Sequence, residues 1–203
     1  MTDNPTWTIR EAGADDAPAL ALIGAATFLE TFAGILEGEA IVGHCAAQHN
    51  AAAYTAYLAV GARAWIAEAQ PGGAPIGFAL VGKPDLAAAL DGDIELKRIY
   101  SLSRFHGSGL GAALMKRALE AAHGHRRLLL GVYARNERAL AFYRKQGFAD
   151  LGTRQFNVGG KLYDDLVLAR PLETTGRGHD LGLDIRDDPG LFQVNSQGCE
   201  VIG

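Results

Sequence analysis

The stretch IELKRIYSLSRFHGSGLGAALMKRALEAA, residues 94–122, decides the fold of this chain. It begins with an apolar segment typical of a buried strand, passes through a glycine-rich turn and continues with apolar residues at helical spacing. Such a turn presents the unpaired N–H groups of the first helical turn, and glycines leave room for a phosphate to approach. The turn is therefore suited to cradling a pyrophosphate. It comprises His106, Gly107, Ser108, Gly109, Leu110 and Gly111.

The glycine spacing alone leaves four interpretations of this turn open. A P-loop requires Gly-Lys-Ser/Thr, whereas Gly111 is followed by two alanines. A Rossmann fingerprint requires GxGxxG after an early strand and an acidic residue about 20 residues later. Here the spacing is GxGxG, the turn lies deep in the chain, and Arg126 and Arg127 occupy the positions where the acidic residue would be expected. The other two interpretations are a coenzyme A pyrophosphate loop and a tight turn without a ligand.

A second stretch, GVYARNERALAFYRKQGF at residues 131–148, narrows the choice. Together the two stretches resemble the GNAT superfamily of N-acetyltransferases. That family pairs a Q/R-x-x-G-x-G/A turn with N-x-x-A-x-x-x-Y on a later helix and Gly-Phe before the next strand. Here the second pattern is filled by Asn136, Ala139, Tyr143, Gly147 and Phe148.

The resemblance covers roughly residues 7–171. Within the superfamily the chain is similar to bacterial spermidine/spermine N-acetyltransferases of the PaiA type, through TFLETF at 27–32, IELKRIY at 94–100 and DLVLARPL at 165–172. One departure concerns the turn, where the Gln/Arg of the family falls on His106. The Q/R-x-x-G-x-G/A pattern can also be aligned so that it begins at Arg104. The alignment that begins at His106 is preferred, because its glycines lead directly into the helix.

The resemblance implies acetyl-CoA as co-substrate and no metal. It implies that backbone groups of Arg98, Ile99 and Tyr100 pair with the pantetheine arm. In this family a β-bulge commonly splays that strand, so that a backbone N–H faces the thioester carbonyl and stabilises the oxyanion. Holding the two reactants together supplies much of the remaining acceleration.

Tyr143 matches the general acid of the family, which protonates the departing thiolate. Asn136 is expected to contact the coenzyme A arm or to cap its helix, and both roles are compatible. The acceptor amine must lose a proton, since a free alkylamine has a pKa of about 10.4. Glu95, acting through water, is the candidate base, with Tyr100 and Tyr133 as weaker alternatives. Some relatives use a Glu at the position of Gly131, so that route is absent here.

The first helix of this fold overhangs the acceptor pocket, so Phe28, Thr31 and Phe32 are expected to contact the substrate. Three nearby acids, Glu30, Glu37 and Glu39, could attract a cationic polyamine. The expected acceptor is a small-molecule amine. Competing hypotheses are acetylation of a protein N-terminus or lysine, a catalytically silent acyl-CoA sensor, and a nucleotide-binding regulatory domain.

The pattern of apolar residues predicts a mixed α/β domain on one sheet, in the order β, α, α, β, β, β, α, β, α, β, β. The predicted strands are 7–10, 64–69, 76–81, 93–102, 128–133, 148–158 and 162–169. The predicted helices begin after Asp15 or Asp16 and then span 39–58, with breaks at Gly43 and near Asn50, 112–122 and 136–146. A connection at 83–92 is expected to be partly helical. The GNAT domain spans 1–171, and 172–203 reads as an acidic, glycine-rich tail.

Composition excludes several other classes of protein. The net charge of −4 lies entirely in residues 172–203, so residues 1–171 are neutral and lack the basic face that nucleic acid requires. No membrane-spanning apolar run or secretory signal is present, so a cytoplasmic location and no membrane partner are expected. Cys45 and Cys199 lack disulfide or zinc spacing. Cys45 is expected to be a packing residue, and His44 and His49 are expected to be surface or structural residues. By resemblance, a homodimer is expected.

Overall fold

The computed structural model describes residues 6–173, and the expected tail at 172–203 lies outside the described residues except for its first two positions. The strands are β1 (Trp7–Ala12), β2 (Arg63–Ala69), β3 (Ala74–Gly82), β4 (Ile94–Ser101), β5 (Arg127–Tyr133), β6 (Ala149–Val158) and β7 (Lys161–Pro171). The α-helices are α1 (Ala17–Phe32), α2 (Gly38–Gln48), α3 (Ala51–Ala59), α4 (Leu110–Ala121) and α5 (Glu137–Lys145). The predicted mixed α/β class is confirmed.

The predicted helical region at 39–58 consists of two helices that meet at Asn50. The side chain of Asn50 caps both, because its Oδ1 accepts from the N–H of Ala53 at 2.9 Å and its Nδ2 donates to the carbonyl of Ala46 at 2.7 Å. The expected break near Asn50 is therefore confirmed. The break expected at Gly43 is wrong, because α2 continues through it.

The connection between β3 and β4 contains no α-helix, so the expectation of a partly helical stretch is wrong. Its backbone is instead bonded to carboxylates at the base of β4. The N–H of Asp85 donates to Glu95 at 2.8 Å, and the N–H of Leu90 donates to Asp93 at 2.8 Å. These bonds replace the intrahelical ladder that a helix would need.

All seven strands form one sheet in the order β1-β2-β3-β4-β5-β7-β6. Neighbours are antiparallel except for the central pair, β4 and β5, which run parallel. This parallel pairing joins only Ile94 to Leu128 and Glu95 to Leu129. Beyond Glu95 the edge of β4 that faces β5 has no strand partner within residues 6–173, so the centre of the sheet opens into a cleft.

A β-bulge in β4 marks the start of this opening. Leu80 of β3 pairs with Arg98 and Val81 pairs with Leu96, so Lys97 has no partner on β3. The bulge changes which face of the sheet the successive side chains of β4 occupy. Leu96 packs in the core beneath α4, whereas Tyr100 packs toward α1 and α3.

The sheet has a buried layer on each face. On one face, the apolar side of α4 packs through Leu114, Met115 and Ala118. On the other face, Leu20 and Ile23 of α1 pack with Tyr54 of α3. The central strands are therefore covered on both sides, and the cleft between β4 and β5 lies between two layers of helices. None of the helices at residues 6–173 is long and apolar enough to cross a membrane.

Candidate functional site

A cavity of about 940 Å³ occupies the cleft and continues beneath α1 and α2. All predicted site residues except Ser108 and Leu110 line it. These lining residues are Phe28, Thr31, Phe32, Glu95, Arg98, Ile99, Tyr100, His106, Gly107, Gly109, Gly111, Asn136 and Tyr143. Residues from four separate parts of the sequence thus share one space.

The glycine turn leads into α4 with free donors that face this cavity. Gly107 and Gly109 have φ angles of +81° and +86°, which favour glycine strongly. Within residues 6–173, their N–H groups have no hydrogen-bond acceptor. The N–H groups of Gly111 and Ala112 lie in the first turn of α4, where no preceding helical turn supplies an acceptor. This concentration of donors fits a pyrophosphate. Sequence reasoning missed Ala112, although the first four N–H groups of any α-helix lack an acceptor within the helix.

Ser108 and Leu110 stabilise the turn rather than line the cavity. The hydroxyl of Ser108 donates to the carbonyl of Phe105 at 2.7 Å, and the N–H of Ser108 donates to the same carbonyl at 3.2 Å. The N–H of Leu110 donates to the Ser108 hydroxyl at 3.4 Å, and the Leu110 side chain is fully buried. Both residues belong to the glycine turn without lining the cavity, and their expected part in binding the cofactor stays a prediction.

His106 is bonded within the protein on both ring nitrogens. Its Nε2 lies 3.1 Å from the carbonyl oxygen of Ser101, and its Nδ1 lies beside the guanidinium of Arg138. Burial and the charge of Arg138 lower the pKa of His106. The cation at this end of the cavity is therefore Arg138, which the sequence motif did not identify. Arg104 lies outside the cavity, over the ring of Phe105 at 5.0 Å.

The open edge of β4 runs through Arg98, Ile99 and Tyr100. Their pairing partners on β3 occupy the opposite edge, and β5 pairs only with Ile94 and Glu95. The backbone groups that face the cleft are thus free to bond an extended ligand such as the pantetheine arm. The predicted bulge is present at Lys97, next to this edge.

Tyr143 lies on α5 with its side chain 9% exposed, between the rings of Phe142 and Phe148. Burial raises the pKa of Tyr143, so the phenol is protonated at neutral pH. Asn136 caps the same helix, because its Oδ1 accepts from the N–H of Ala139 at 3.1 Å. The capping role of Asn136 is confirmed, and its expected contact with coenzyme A stays a prediction.

Glu95 is 5% exposed, and its carboxylate is tied to the loop before β4. Oε2 accepts from the ammonium of Lys97 at 2.8 Å and from the N–H of Asp85 at 2.8 Å. Lys97 also bonds the carboxylate of Asp85 at 2.5 Å. Sequence reasoning missed Lys97, although residues two apart along a strand share one face of the sheet.

The space beside Gly131 is filled by an arginine from the neighbouring hairpin. A Cβ atom at Gly131 would meet the guanidinium of Arg154 at 2.3 Å. Arg154 donates to the buried carboxylate of Asp165 at 3.2 Å, and burial raises the pKa of Asp165. Asp165 lines the cavity and was not identified from the sequence. Tyr133 and Tyr100 are the alternative bases. The ring of Tyr133 meets that of Phe32 edge-on, with the ring centroids 6.1 Å apart. Burial raises the pKa of Tyr100.

The end of the cavity beneath α1 and α2 is aromatic. The ring of Phe28 stacks on His44 at 4.2 Å and lies tilted by 44° against Phe32 at 4.6 Å, measured between ring centroids. The hydroxyl of Thr31 donates to the carbonyl of Thr27 at 2.7 Å. His44 and His49 are both buried, so the alternative that they lie on the surface is wrong. Burial raises the pKa of the Cys45 thiol, consistent with packing.

The acids expected to attract a polyamine lie outside this cavity. Glu30 accepts from the N–H and hydroxyl of Ser103 at 2.8 and 2.6 Å, and Glu37 forms an ion pair with Lys161. Neither residue lines the large cavity, and neither does Glu39.

Comparison with known proteins identifies the family to which this chain belongs. The profile of the Acetyltransferase (GNAT) family matches residues 47–148. Uncharacterized N-acetyltransferases of Mycobacterium tuberculosis and Mycobacterium bovis are 36% identical over 159 residues, which cover 77% of this chain and 98% of each relative.

Solved structures share the fold. The PaiA N-acetyltransferase of Thermoplasma acidophilum, in complex with coenzyme A, superimposes with a TM-score of 0.67 at 20% identity, covering 82% of this chain and 99% of that one. The ribosomal-protein-alanine N-acetyltransferase of Brucella melitensis gives a TM-score of 0.61 at 26% identity, covering 81% and 99%. With the glycine turn, the open β4 edge and these relatives, the chain belongs to the GNAT family of acetyl-CoA-dependent N-acetyltransferases.

Proposed function

We propose that the protein transfers the acetyl group of acetyl-CoA directly to the primary amine of a small molecule, within a ternary complex. One observation carries this proposal: a single cavity joins the free N–H groups of the glycine turn, the open edge of β4 and the hydroxyl-bearing face of α5 to an aromatic end beneath α1. The two reactants can therefore meet without an acyl-enzyme.

Each part of the cavity has a proposed role. The turn at Gly107 and Gly109 binds the pyrophosphate, and Asn136 contacts the coenzyme A arm. Backbone groups of Arg98, Ile99 and Tyr100 bond the pantetheine, and a free N–H beside the bulge stabilises the oxyanion. Acetyl-CoA supplies an activated acyl group with a thiolate leaving group.

Proton transfer completes the reaction. The amine nitrogen forms a bond to the acetyl carbon, the carbon–sulfur bond breaks, and Tyr143 donates its hydroxyl proton to the departing thiolate. Burial favours the protonated phenol, which suits an acid. We assign the proton of the amine to Glu95 through water. Phe28, Thr31 and Phe32 pack against the body of the acceptor.

A polyamine is one acceptor within this class, and the similarity to PaiA motivates its inclusion. The positions of Glu30, Glu37 and Glu39 outside the cavity do not favour it. The test is calorimetric titration of acetyl-CoA, followed by release of free thiol with spermidine, other small amines and a peptide N-terminus. Small-amine turnover supports the proposal. Turnover with the peptide alone would redirect it to protein acetylation, and absence of acetyl-CoA binding would overturn it.

We also propose that the protein forms a homodimer. The support, besides the family, is a set of large apolar side chains exposed on α1 and α2, namely Leu22, Leu29 and Val42. Sedimentation equilibrium should give twice the mass of the chain. A monomer at micromolar concentration would contradict this proposal without affecting the proposed reaction.

A further inference from the structure

Arg98 carries a permanent positive charge that has no carboxylate partner within 4 Å among residues 6–173. Its guanidinium lies over the rings of Tyr54 and Tyr57, 5.3 and 5.1 Å from their centroids. Nη2 donates to the side chain of Gln48 at 3.4 Å. Nη1 is shielded from solvent and has no hydrogen-bond partner among these described residues. A cation in this condition is costly unless a ligand completes its bonds.

A second unpartnered polar atom belongs to the same wall of the cavity. His49 bonds the hydroxyl of Tyr54 through Nδ1 at 2.9 Å, while its buried Nε2 has no partner in the part of the chain that the structure describes. Burial, the charge of Arg98 and the neighbouring His44 lower the pKa of His49 to about 3, so the ring is neutral at pH 7. When Tyr54 donates to Nδ1, the N–H of the neutral ring is at Nε2. Arg98 and His49 then both offer free donors.

The carboxylates of the cavity offer no equivalent site for a cation. Asp85 and Glu95 both bond Lys97, and Asp165 bonds Arg154. Within the described part of the chain, these are the carboxylates that line the cavity. An incoming cation therefore meets only carboxylates that already have partners, whereas an incoming anion meets Arg98.

We propose that the acceptor carries an acidic group, such as a carboxylate, close to its amine, and that Arg98 recognises this group with help from Gln48 and His49. The inference rests on the proposed function and names the substrate class of the same site: a free amino acid or a related acidic amine. Arg98 lies on β4 directly after the bulge, so an acid bonded there holds its amine next to the open strand edge. A guanidinium binds a carboxylate through two parallel hydrogen bonds.

Matched acceptor pairs test this inference on the unmodified enzyme. L-leucine is compared with isopentylamine, and L-phenylalanine with phenethylamine, because each pair differs only in the carboxylate. Spermidine serves as the polycation. Thiol release gives kcat/KM, and we expect the acid-bearing member to be preferred by about 10- to 100-fold, the range for hydrogen bonds to a charged group.

Two arginine variants separate recognition from stability. Arg98→Met keeps a long apolar side chain over the tyrosines, and it should reduce the preference to about 1. Arg98→Lys should retain part of the preference. The matched control Arg117→Met, on the exposed side of α4, should keep the wild-type preference.

Two results would overturn the inference alone: equal turnover of both members of each pair by wild type, or an Arg98→Met variant that slows both members by the same factor. Absence of turnover with every small amine would overturn the proposed function as well, so the two failures are distinguishable.

Discussion

At the scale of single residues, Tyr143 has the environment that a proton donor needs. Its phenol is buried among aromatic rings, and burial raises its pKa, so the proton is retained until a base forms beside it. The hydroxyl can be removed without altering the packing of the ring, which makes the role of the proton measurable.

We expect Tyr143→Phe to lower kcat by about 100-fold or more, the range typical of lost general acid catalysis. The rate of thiol release at saturating acetyl-CoA measures it. Tyr163→Phe provides a matched loss of a phenol from the lining of the same cavity and should change kcat by less than about 3-fold. Equal kcat for Tyr143→Phe and wild type would remove Tyr143 from the mechanism.

Glu95 shares Lys97 with Asp85, and this arrangement provides its own control. If Glu95 accepts the proton of the amine, Glu95→Gln should lower kcat/KM by about 100-fold. Asp85→Asn also removes one carboxylate from Lys97, but that carboxylate is 75% exposed, so we expect a change below about 3-fold. Similar losses of kcat/KM in the two variants would indicate that activity depends on the ion pairs of Lys97 and not on a base at Glu95. Asp165 would then become the next candidate for the general base.

At the scale of elements, the glycine turn and α4 act together as one binding device. Gly109 precedes the helix with φ at +86°, whereas Gly111 is inside the first turn and has ordinary helical geometry. The two glycines therefore respond differently to the same substitution.

Gly109→Ala should destabilise the protein by about 1–2 kcal/mol, the cost of a left-handed conformation for a residue with a Cβ. Gly111→Ala is the matched control: its Cβ would lie 3.6 Å from Phe142, an ordinary contact, and alanine favours a helix by up to about 1 kcal/mol. Urea unfolding measures both changes. An unchanged free energy of unfolding for Gly109→Ala would contradict the described turn.

The end of α2 contains two neutral, buried histidines, and these make stability depend on pH. Burial and the charge of Arg98 lower the pKa of His44 to about 4 and that of His49 to about 3. In the unfolded chain the pKa of histidine is about 6.5, so between about pH 3 and 6.5 the unfolded state binds more protons. Stability is therefore lost as pH falls below about 6.5, by about 1.4 kcal/mol per pH unit for each ring until the pKa of that ring in the folded protein is reached.

The free energy of unfolding in urea, compared at about pH 5 and about pH 7.5, measures this effect. A double variant, His44→Gln with His49→Gln, should show a smaller difference between the two pH values than wild type. His123→Gln removes an exposed imidazole and should leave the wild-type difference intact. The hypothesis fails if the double variant keeps the full pH dependence.

At the scale of the whole molecule, the boundary of the domain is set by the last contacts of the chain with the sheet. The predicted boundary at 171 coincides with the end of β7, but Leu172 also belongs to the body of the domain. Its N–H donates to the carbonyl of Arg126 at 3.1 Å, and its side chain packs on the core beneath α4. We propose that residues 174–203 are an appendage to a domain that folds without them.

A chain ending after Glu173 should unfold in urea with the same free energy as the full chain and should bind acetyl-CoA equally well. For a chain ending after Pro171, the free energy of unfolding should be lower by about 1 kcal/mol, because this chain lacks the half-buried Leu172. Loss of folding in the 173-residue chain would show that the acidic segment is part of the domain.

Local patterns were enough to predict most of the elements. The helix at 112–122 and the strand at 128–133 were found with small shifts of their ends, because their apolar residues repeat at the helical or strand period. Gly147 follows the last turn of α5 with φ at +84°, a common conformation of glycine after a helix. Two predictions failed. At Gly43 the helix continues through an exposed glycine that was expected to interrupt it. At 83–92 the backbone is bonded to the carboxylates of Asp93 and Glu95, which replace the expected helical hydrogen bonds.

The family, the glycine turn and the places of Tyr143 and Asn136 could be predicted from the sequence, because those features depend on short spacings along the chain. The ion pair of Lys97 with Glu95, the guanidinium of Arg154 beside Gly131 and the position of Arg98 on the cavity, without a carboxylate among residues 6–173, became visible in the folded structure. Charge, burial and hydrogen bonding depend on which groups meet across strands and helices, and short spacings do not specify that. The one-residue bulge in β4 is one example, because Leu96 packs beneath α4 whereas Arg98, two residues farther on, lies over the ring of Tyr54 on the other face.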